Sequence, residues 1–344
     1  MSPGRRDQSA PAQPGNRERI LKLSEILGQD RVVAMLRQAI TRNTLHHALL
    51  FVGPEAVGKR TTALALARHL LCRAGGVDAC GECTACIQAA AGTHPDLHRE
   101  SFPRDDQGRT RERMGIEQVR AMQVTLGSRA LAGGKKIAIF EEAQTLTEEA
   151  QNAFLKTLEE PPGDALILLV AHNASALRPT VRSRCQRIAF SPLPPAIVEA
   201  TLRDRLGRSA EEAQLLAAYS EGSLTFAADP ARLRAAHERV VALLAKADSR
   251  SYHDAVLAAR EVLTTPKGIP LDLKLVLALL RNHLRARAGI PDAMKLTSFG
   301  KTGSLLGALH ATEAAYAAVV DLGRNANRSL ASERMWLRIG ESLD

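Results

Sequence analysis

Residues 46–62 read His46-His47-Ala48-Leu49-Leu50-Phe51-Val52-Gly53-Pro54-Glu55-Ala56-Val57-Gly58-Lys59-Arg60-Thr61-Thr62. Residues 46–52 form a short apolar run that predicts a buried strand, and 60–72 (RTTALALARHLLC) resume helical spacing. Between them, Gly53 to Lys59 match GxxxxGK. A strand, a glycine-bearing loop and a helix are the setting of a phosphate-binding loop. Gly53 and Gly58 let backbone N–H groups wrap a phosphate, and Lys59 would reach its terminal oxygens. The next position ordinarily carries Ser or Thr, whose hydroxyl binds Mg²⁺. Here it is Arg60. Thr61 comes one residue late, turned about 100° away on a helix. The same pattern also suits a glycine-bearing turn that holds nothing.

Outward from this stretch, apolar runs at 136–140 (KIAIF), 166–171 (LILLVA) and 187–190 (RIAF) predict further strands. Helical patterns at 115–126 and 145–160 separate them, which points to a parallel, doubly wound sheet. The run 136–140 leads into Glu141-Glu142. A hydrolysing enzyme needs Asp there for the metal shell, then Glu to orient water. Glu141 is one methylene too long, and Glu142 is well placed. An acidic helix start is the plainer reading of that pair. Thr145 with Glu148 predicts a capping box, and Pro161-Pro162 stop the helix that follows. Upstream, 23–42 shows helical spacing, with Leu27, Val32, Val33, Leu36 and Ile40 near one face and a turn at Gly28.

Four of the five cysteines, Cys72, Cys80, Cys83 and Cys86, lie close together as C-x7-C-x2-C-x2-C. Four thiolates close a tetrahedral zinc shell with no position for water, so the expected role is structural. Redox-active or unpaired thiols are the alternative. Cys185 stands apart and is expected to be buried.

Beyond 191–195 (SPLPP) the sequence is rich in Ala, Leu and Arg, and no strand-like run stands out from 196 to 344. The expected organisation is α/β followed by all-α. It comprises a mildly basic disordered arm at 1–22, an α/β domain at 23–191 carrying a zinc module at 72–86, and helical domains at 192–235 and 236–344. Of 344 residues, 45% are hydrophobic and 24% charged, close to a globular average. Aromatics are only 3%, so the core must be aliphatic. The arm lacks the apolar core of a secretory signal. No uninterrupted apolar run reaches the roughly 18 residues of a membrane span. The net charge of +9 leaves contact with phosphate or an acidic partner open. The basic residues Lys274, Arg281, Arg285 and Arg287 alternate with aliphatics and read best as a solvated helix face.

From about Leu23 to at least Gly222 the chain resembles the δ′ family of bacterial replicative clamp loaders, AAA+ subunits of the DNA polymerase III holoenzyme, and the helical remainder matches weakly and mainly by size. The residues that carry the resemblance are Gly28-Gln29, the run 46–59, the four cysteines, and Gly92-Thr93-His94-Pro95-Asp96. QNAFLKTLEEPP at 151–162 and Ser183-Arg184-Cys185 complete it. The resemblance implies a RecA-like domain with the zinc module, a small helical lid and a helical collar. It implies a heteropentameric ring with γ/τ and δ subunits, acting on the sliding clamp and primed DNA in the cytoplasm, with no membrane role. It further implies a rigid subunit without ATPase activity of its own. Arg184 occupies the position of an arginine that acts in trans on the nucleotide of the neighbouring subunit. Zn²⁺ would be structural. ATP binding at Gly53, Gly58, Lys59, Arg60, Thr61, Glu141 and Glu142 would occur, if at all, without turnover. Hydrolysing relatives carry an Arg shortly after a Gly-Ser in the lid; here Gly222-Ser223-Leu224 is followed by Thr225. Two rivals remain: an active loader ATPase of γ/τ type, and a zinc-bearing DNA-binding module.

Overall fold

The computed structural model describes residues 22–76, 78–101, 113–220, 222–224, 230–246, 252–262, 271–289, 304–323 and 326–343. Residues 1–21 of the arm and Thr225 lie outside these residues. The chain divides after Pro192 into two units.

In the first unit the elements are α1 (Asp30–Thr41), β1 (Ala48–Val52), α2 (Lys59–Leu71), α3 (Thr84–Ala91), β2 (Leu97–Glu100) and α4 (Ile116–Gly127). They continue with β3 (Lys136–Phe140), α5 (Glu148–Glu159), β4 (Ala165–Ala171), α6 (Pro179–Arg182) and β5 (Gln186–Ala189). The five strands form a parallel sheet in the order β2-β3-β4-β1-β5. β1, β3 and β4 are buried along their whole length. Helices cover both faces of such a sheet, so its inner strands carry near-continuous aliphatic runs instead of alternating ones. The core on one face joins Leu50, Ala138, Phe140, Phe154, Leu158 and Leu169. The Phe140 and Phe154 rings lie 4.9 Å apart, centroid to centroid.

Several expectations need correction. β1 starts at Ala48, and the His47 ring nitrogen Nε2 lies 2.8 Å from the Leu158 carbonyl. β2 was not foreseen. It is an edge strand with a mixed polar sequence, Leu-His-Arg-Glu, paired only to β3. The α5 cap is Thr147 rather than Thr145. Its hydroxyl accepts from the Ala150 N–H, while Thr145 ends a short 3-10 turn. Leu27 lies outside α1 and is exposed. Cys185 is half-buried, packed against the core, and burial pushes its thiol up to about 12.

The second unit is helical throughout its described residues: α7 (Pro195–Leu206), α8 (Ala210–Tyr219), α9 (Pro230–Lys246), α10 (Tyr252–Val262), α11 (Leu271–Arg287), α12 (Leu305–Gly323) and α13 (Arg328–Leu343). An ion pair joins α9 to α11, from Arg239 Nη2 to the buried Asp272 carboxylate at 2.8 Å. α12 is long and apolar enough, by length and composition alone, to cross a membrane. It buries an alanine stripe, Ala308, Ala311, Ala315 and Ala318, and packs against α11 and α13. On α11, Arg281, Arg285 and Arg287 are exposed and Lys274 half-buried.

Candidate functional site

The Gly53–Lys59 loop leaves the C-terminal end of β1, which lies between β4 and β5. Crevices at strand ends of this kind are where ligands bind in open α/β sheets. Gly53 has φ 152°, and a Cβ there would stand 2.4 Å from the Phe190 carbonyl oxygen. The fold therefore demands this glycine whatever the loop binds. Gly53→Ala is expected to cost about 1–3 kcal/mol, the scale of overpacking, read as a lowered melting temperature. An unchanged melting temperature would contradict that close approach. Gly58, with φ 97°, forms the left-handed N-cap of α2.

Lys59 opens α2 and is buried. Its ammonium donates to the Gly53 carbonyl at 2.8 Å and to the Pro54 carbonyl. The loop thus satisfies its own lysine. Burial lowers the lysine's pKa against the opposing pull of Glu142 and Glu55. Thr61 is half-buried. The neighbouring Thr62 hydroxyl donates to the Gly58 carbonyl at 2.8 Å.

The two departures read from the sequence meet in space. Arg60 Nε lies 3.1 Å from Glu141 Oε2. The other oxygen, Oε1, accepts from Arg99 Nε at 2.9 Å and Arg99 Nη2 at 2.7 Å. Glu141 is 7% exposed, so two guanidinium groups already fill a buried carboxylate. Charge-assisted contacts of this kind are the strong ones. A divalent cation would have to displace both arginines. Arg99 was missed in the sequence because it lies on the edge strand β2, whose existence was missed too. Glu142 stands at the left-handed φ of 58°. Its carboxyl is held below the usual range chiefly by His172, 3.3 Å away, then by Gln144 and the Lys59 charge.

Arg184 lies on the short segment after α6, at the far end of α5 from the Thr147 cap. Its Nε donates to Glu159 Oε1 at 2.6 Å, Nη2 contacts the same oxygen, and Nη1 donates to the Thr180 carbonyl at 2.9 Å. The α5 helix also fixes the near end of this segment. Gln151 Oε1 accepts from the Arg178 N–H at 2.7 Å, and Glu148 pairs with the Arg178 guanidinium at 2.8 Å. Other motif residues are structural ties of the same kind. The Gln29 amide donates to the Val57 and Ser191 carbonyls, and Asp96 accepts from the Leu131 and Ala132 N–H groups.

Cys72, Cys80, Cys83 and Cys86 come together as the spacing predicts, with all four sulfurs within 4.8 Å of one another. Cys72 to Cys80 is 3.6 Å, Cys72 to Cys83 is 4.0 Å, and Cys80 to Cys86 is 3.9 Å. A tetrahedral ion with bonds of about 2.3 Å sets sulfurs about 3.8 Å apart. The cluster can hold a metal ion. Cys83 is the N-cap of α3, which places Cys86 in its first turn. Backbone N–H groups of Cys83 and Glu82 lower the Cys80 pKa, those of Arg73 and Cys86 lower Cys83 to about 6, and burial raises Cys86 to about 12. N–H donation to sulfur favours the thiolate that a metal requires. Between the cysteines, Asp78 accepts from the Leu23 and Ser24 N–H groups at 3.2 and 2.9 Å. The module is thereby tied to the described start of the unit.

Residues 28–194 match the protein family described as DNA polymerase III, delta subunit. The DNA polymerase III subunit delta′ of Pseudomonas aeruginosa is 41% identical over 183 residues, 52% of this chain and 53% of that protein. The subunit delta′ of Bacillus subtilis is 35% identical over 173 residues, 50% of each. The chain thus spans about half the length of the curated relatives it matches. A solved DNA polymerase III gamma subunit-related protein from Thermotoga maritima aligns with 90% of this chain and 99% of its own, at 18% identity and a TM-score of 0.43. The family match bears out the resemblance read from the motifs over residues 28–194.

Proposed function

We propose that this chain is a δ′-type clamp-loader subunit. In this reading it is an AAA+ protein with a RecA-like nucleotide fold, a lid and a collar, which does not hydrolyse ATP itself. It sits in a ring with γ/τ and δ subunits and contributes Arg184 to the ATP site of its neighbour. The ring opens the sliding clamp and places it on primed DNA, in the cytoplasm. The observation that carries the non-hydrolysing part is the Arg60–Glu141–Arg99 cluster. The two positions that should hold Mg²⁺ are instead a guanidinium and a carboxylate that neutralise each other. The delta′ relatives support the rest, within the α/β unit that they match.

Four thiolates in a closed tetrahedron are proposed to hold structural Zn²⁺. The ion would supply the cross-link, and the Glu82 and Cys83 N–H groups, both donating to Cys80 Sγ, would favour the thiolate there. Nothing in that shell is open to substrate.

Calorimetric titration with ATP and Mg²⁺, beside a turnover assay, tests the reading. The purified chain is expected to show no turnover. The double variant Arg60→Thr, Glu141→Asp is expected to gain magnesium-dependent nucleotide binding. Magnesium-dependent turnover by the parent chain alone would favour the rival γ/τ-type ATPase.

A further inference from the structure

We infer that Glu159 is a positioning residue for Arg184, holding the guanidinium by one edge so that its remaining N–H groups are presented in a fixed direction. This inference rests on the proposed trans role of Arg184.

An arginine that stabilises a phosphoryl transition state must offer a planar fork in one orientation. A long surface side chain does not hold one orientation unaided. Here the Nε edge and Nη2 engage a single carboxylate oxygen of Glu159, and Nη1 rests on a neutral carbonyl of Thr180. The two holders differ in strength. The contact to the carboxylate is charge-assisted and the contact to the carbonyl is not. An approaching phosphate would displace the weaker one. The guanidinium would then keep its carboxylate and swap one acceptor.

Both holders arrive on fixed elements. Glu159 is the last residue of α5, whose Phe154 and Leu158 are fully buried. The Leu158 carbonyl meets His47 Nε2 at 2.8 Å, and Gln123 Nε2 donates to the Thr157 hydroxyl at 2.7 Å. Thr180 belongs to α6, whose start is pinned to α5 through Arg178 by Gln151 and Glu148. One helix therefore frames the arginine segment at both ends. The pairing links the LKTLEEPP and RSRC motifs, and neither motif alone announces it.

The test uses the reconstituted clamp loader with its cognate subunits. Four versions of this chain are compared: Glu159→Gln, Glu159→Ala, Arg184→Ala, and Glu159→Gln combined with Arg184→Ala. Glu159→Gln keeps the shape and removes the charge at a half-exposed position, so folding is preserved and is checked by melting. The expected result is a fall of about tenfold in single-turnover ATP hydrolysis at the site that Arg184 serves with Glu159→Ala, on the scale of one lost charged hydrogen bond. Glu159→Gln should fall less, KM should not change, and Glu159→Gln should add nothing to Arg184→Ala. That non-additivity is the signature of one residue acting through the other. If Arg184→Ala lowers turnover while both Glu159 variants keep or raise that rate, the positioning role is overturned and the trans role survives. If Arg184→Ala itself has no effect, the trans role fails, and with it this inference.

Discussion

Cys83→Ser protein is expected to leave purification without the single equivalent of zinc proposed for the parent, and to melt well below the parent. Three of the sulfur pairs lie 3.6, 4.0 and 3.9 Å apart, close to tetrahedral spacing, so a serine oxygen in one corner would weaken a site suited to four thiolates. The size of the effect follows from what the module holds. Ala79, Ala85, Cys86 and Ala89 are buried, and Asp78 accepts two N–H groups at the described start of the unit. Releasing the cross-link frees these groups together. The closest comparison is a lost disulfide in a small domain, about 2–5 kcal/mol. For a unit of this size that is about 4–20 °C in melting temperature. Cys185→Ser serves as the control. That thiol lies outside the cluster and should leave the zinc content unchanged. A parent that is folded and metal-free at elemental analysis would end the zinc assignment.

Some of this was legible in the sequence and some was not, for physical reasons. β1, β3 and β4 are buried on both faces, so their aliphatic runs stand out. β2 lies at the sheet edge, where alternating polar residues are tolerated, and Leu97-His98-Arg99-Glu100 carries no strand signal. With it went Arg99, one of the two partners of Glu141. Arg60 and Glu141 were each visible as a departure from a hydrolysing site. Only the sheet order, with β3 beyond β4 from β1, brings α2 and the end of β3 close enough for them to pair. The cysteines needed no such help, because their spacing is short and local. The α5 helix was visible as a motif, but its ties to Arg178 and Arg184 join residues far apart in the chain. The second unit was legible only as helices. Its amphipathic patterns say which faces are buried, and the alanine stripe of α12 says how closely the helices pack. No chemistry-bearing motif marks it.

Arg184→Ala is expected to leave this chain folded and assembled while lowering ATP hydrolysis at the neighbouring site and slowing clamp loading. The two halves of that expectation have different causes. The Arg184 side chain is 32% exposed and its partner Glu159 48%. Exposed pairs of this kind contribute about 0–1 kcal/mol, so truncation should barely move the melting temperature. Its effect on rate is another matter. A guanidinium that meets charge only in the transition state contributes to kcat and not to binding, by about 10³–10⁵ at the site it serves. Turnover summed over the whole ring will fall by less, because other ATP sites remain. Single-turnover measurement of clamp loading, which needs the served site, should therefore show the larger loss. Arg184→Lys is expected to behave like the alanine variant, since an ammonium group cannot present a planar fork. Rescue by lysine would mean that only a positive charge is required, and full activity with alanine would mean that the arginine is no more than a surface partner of Glu159.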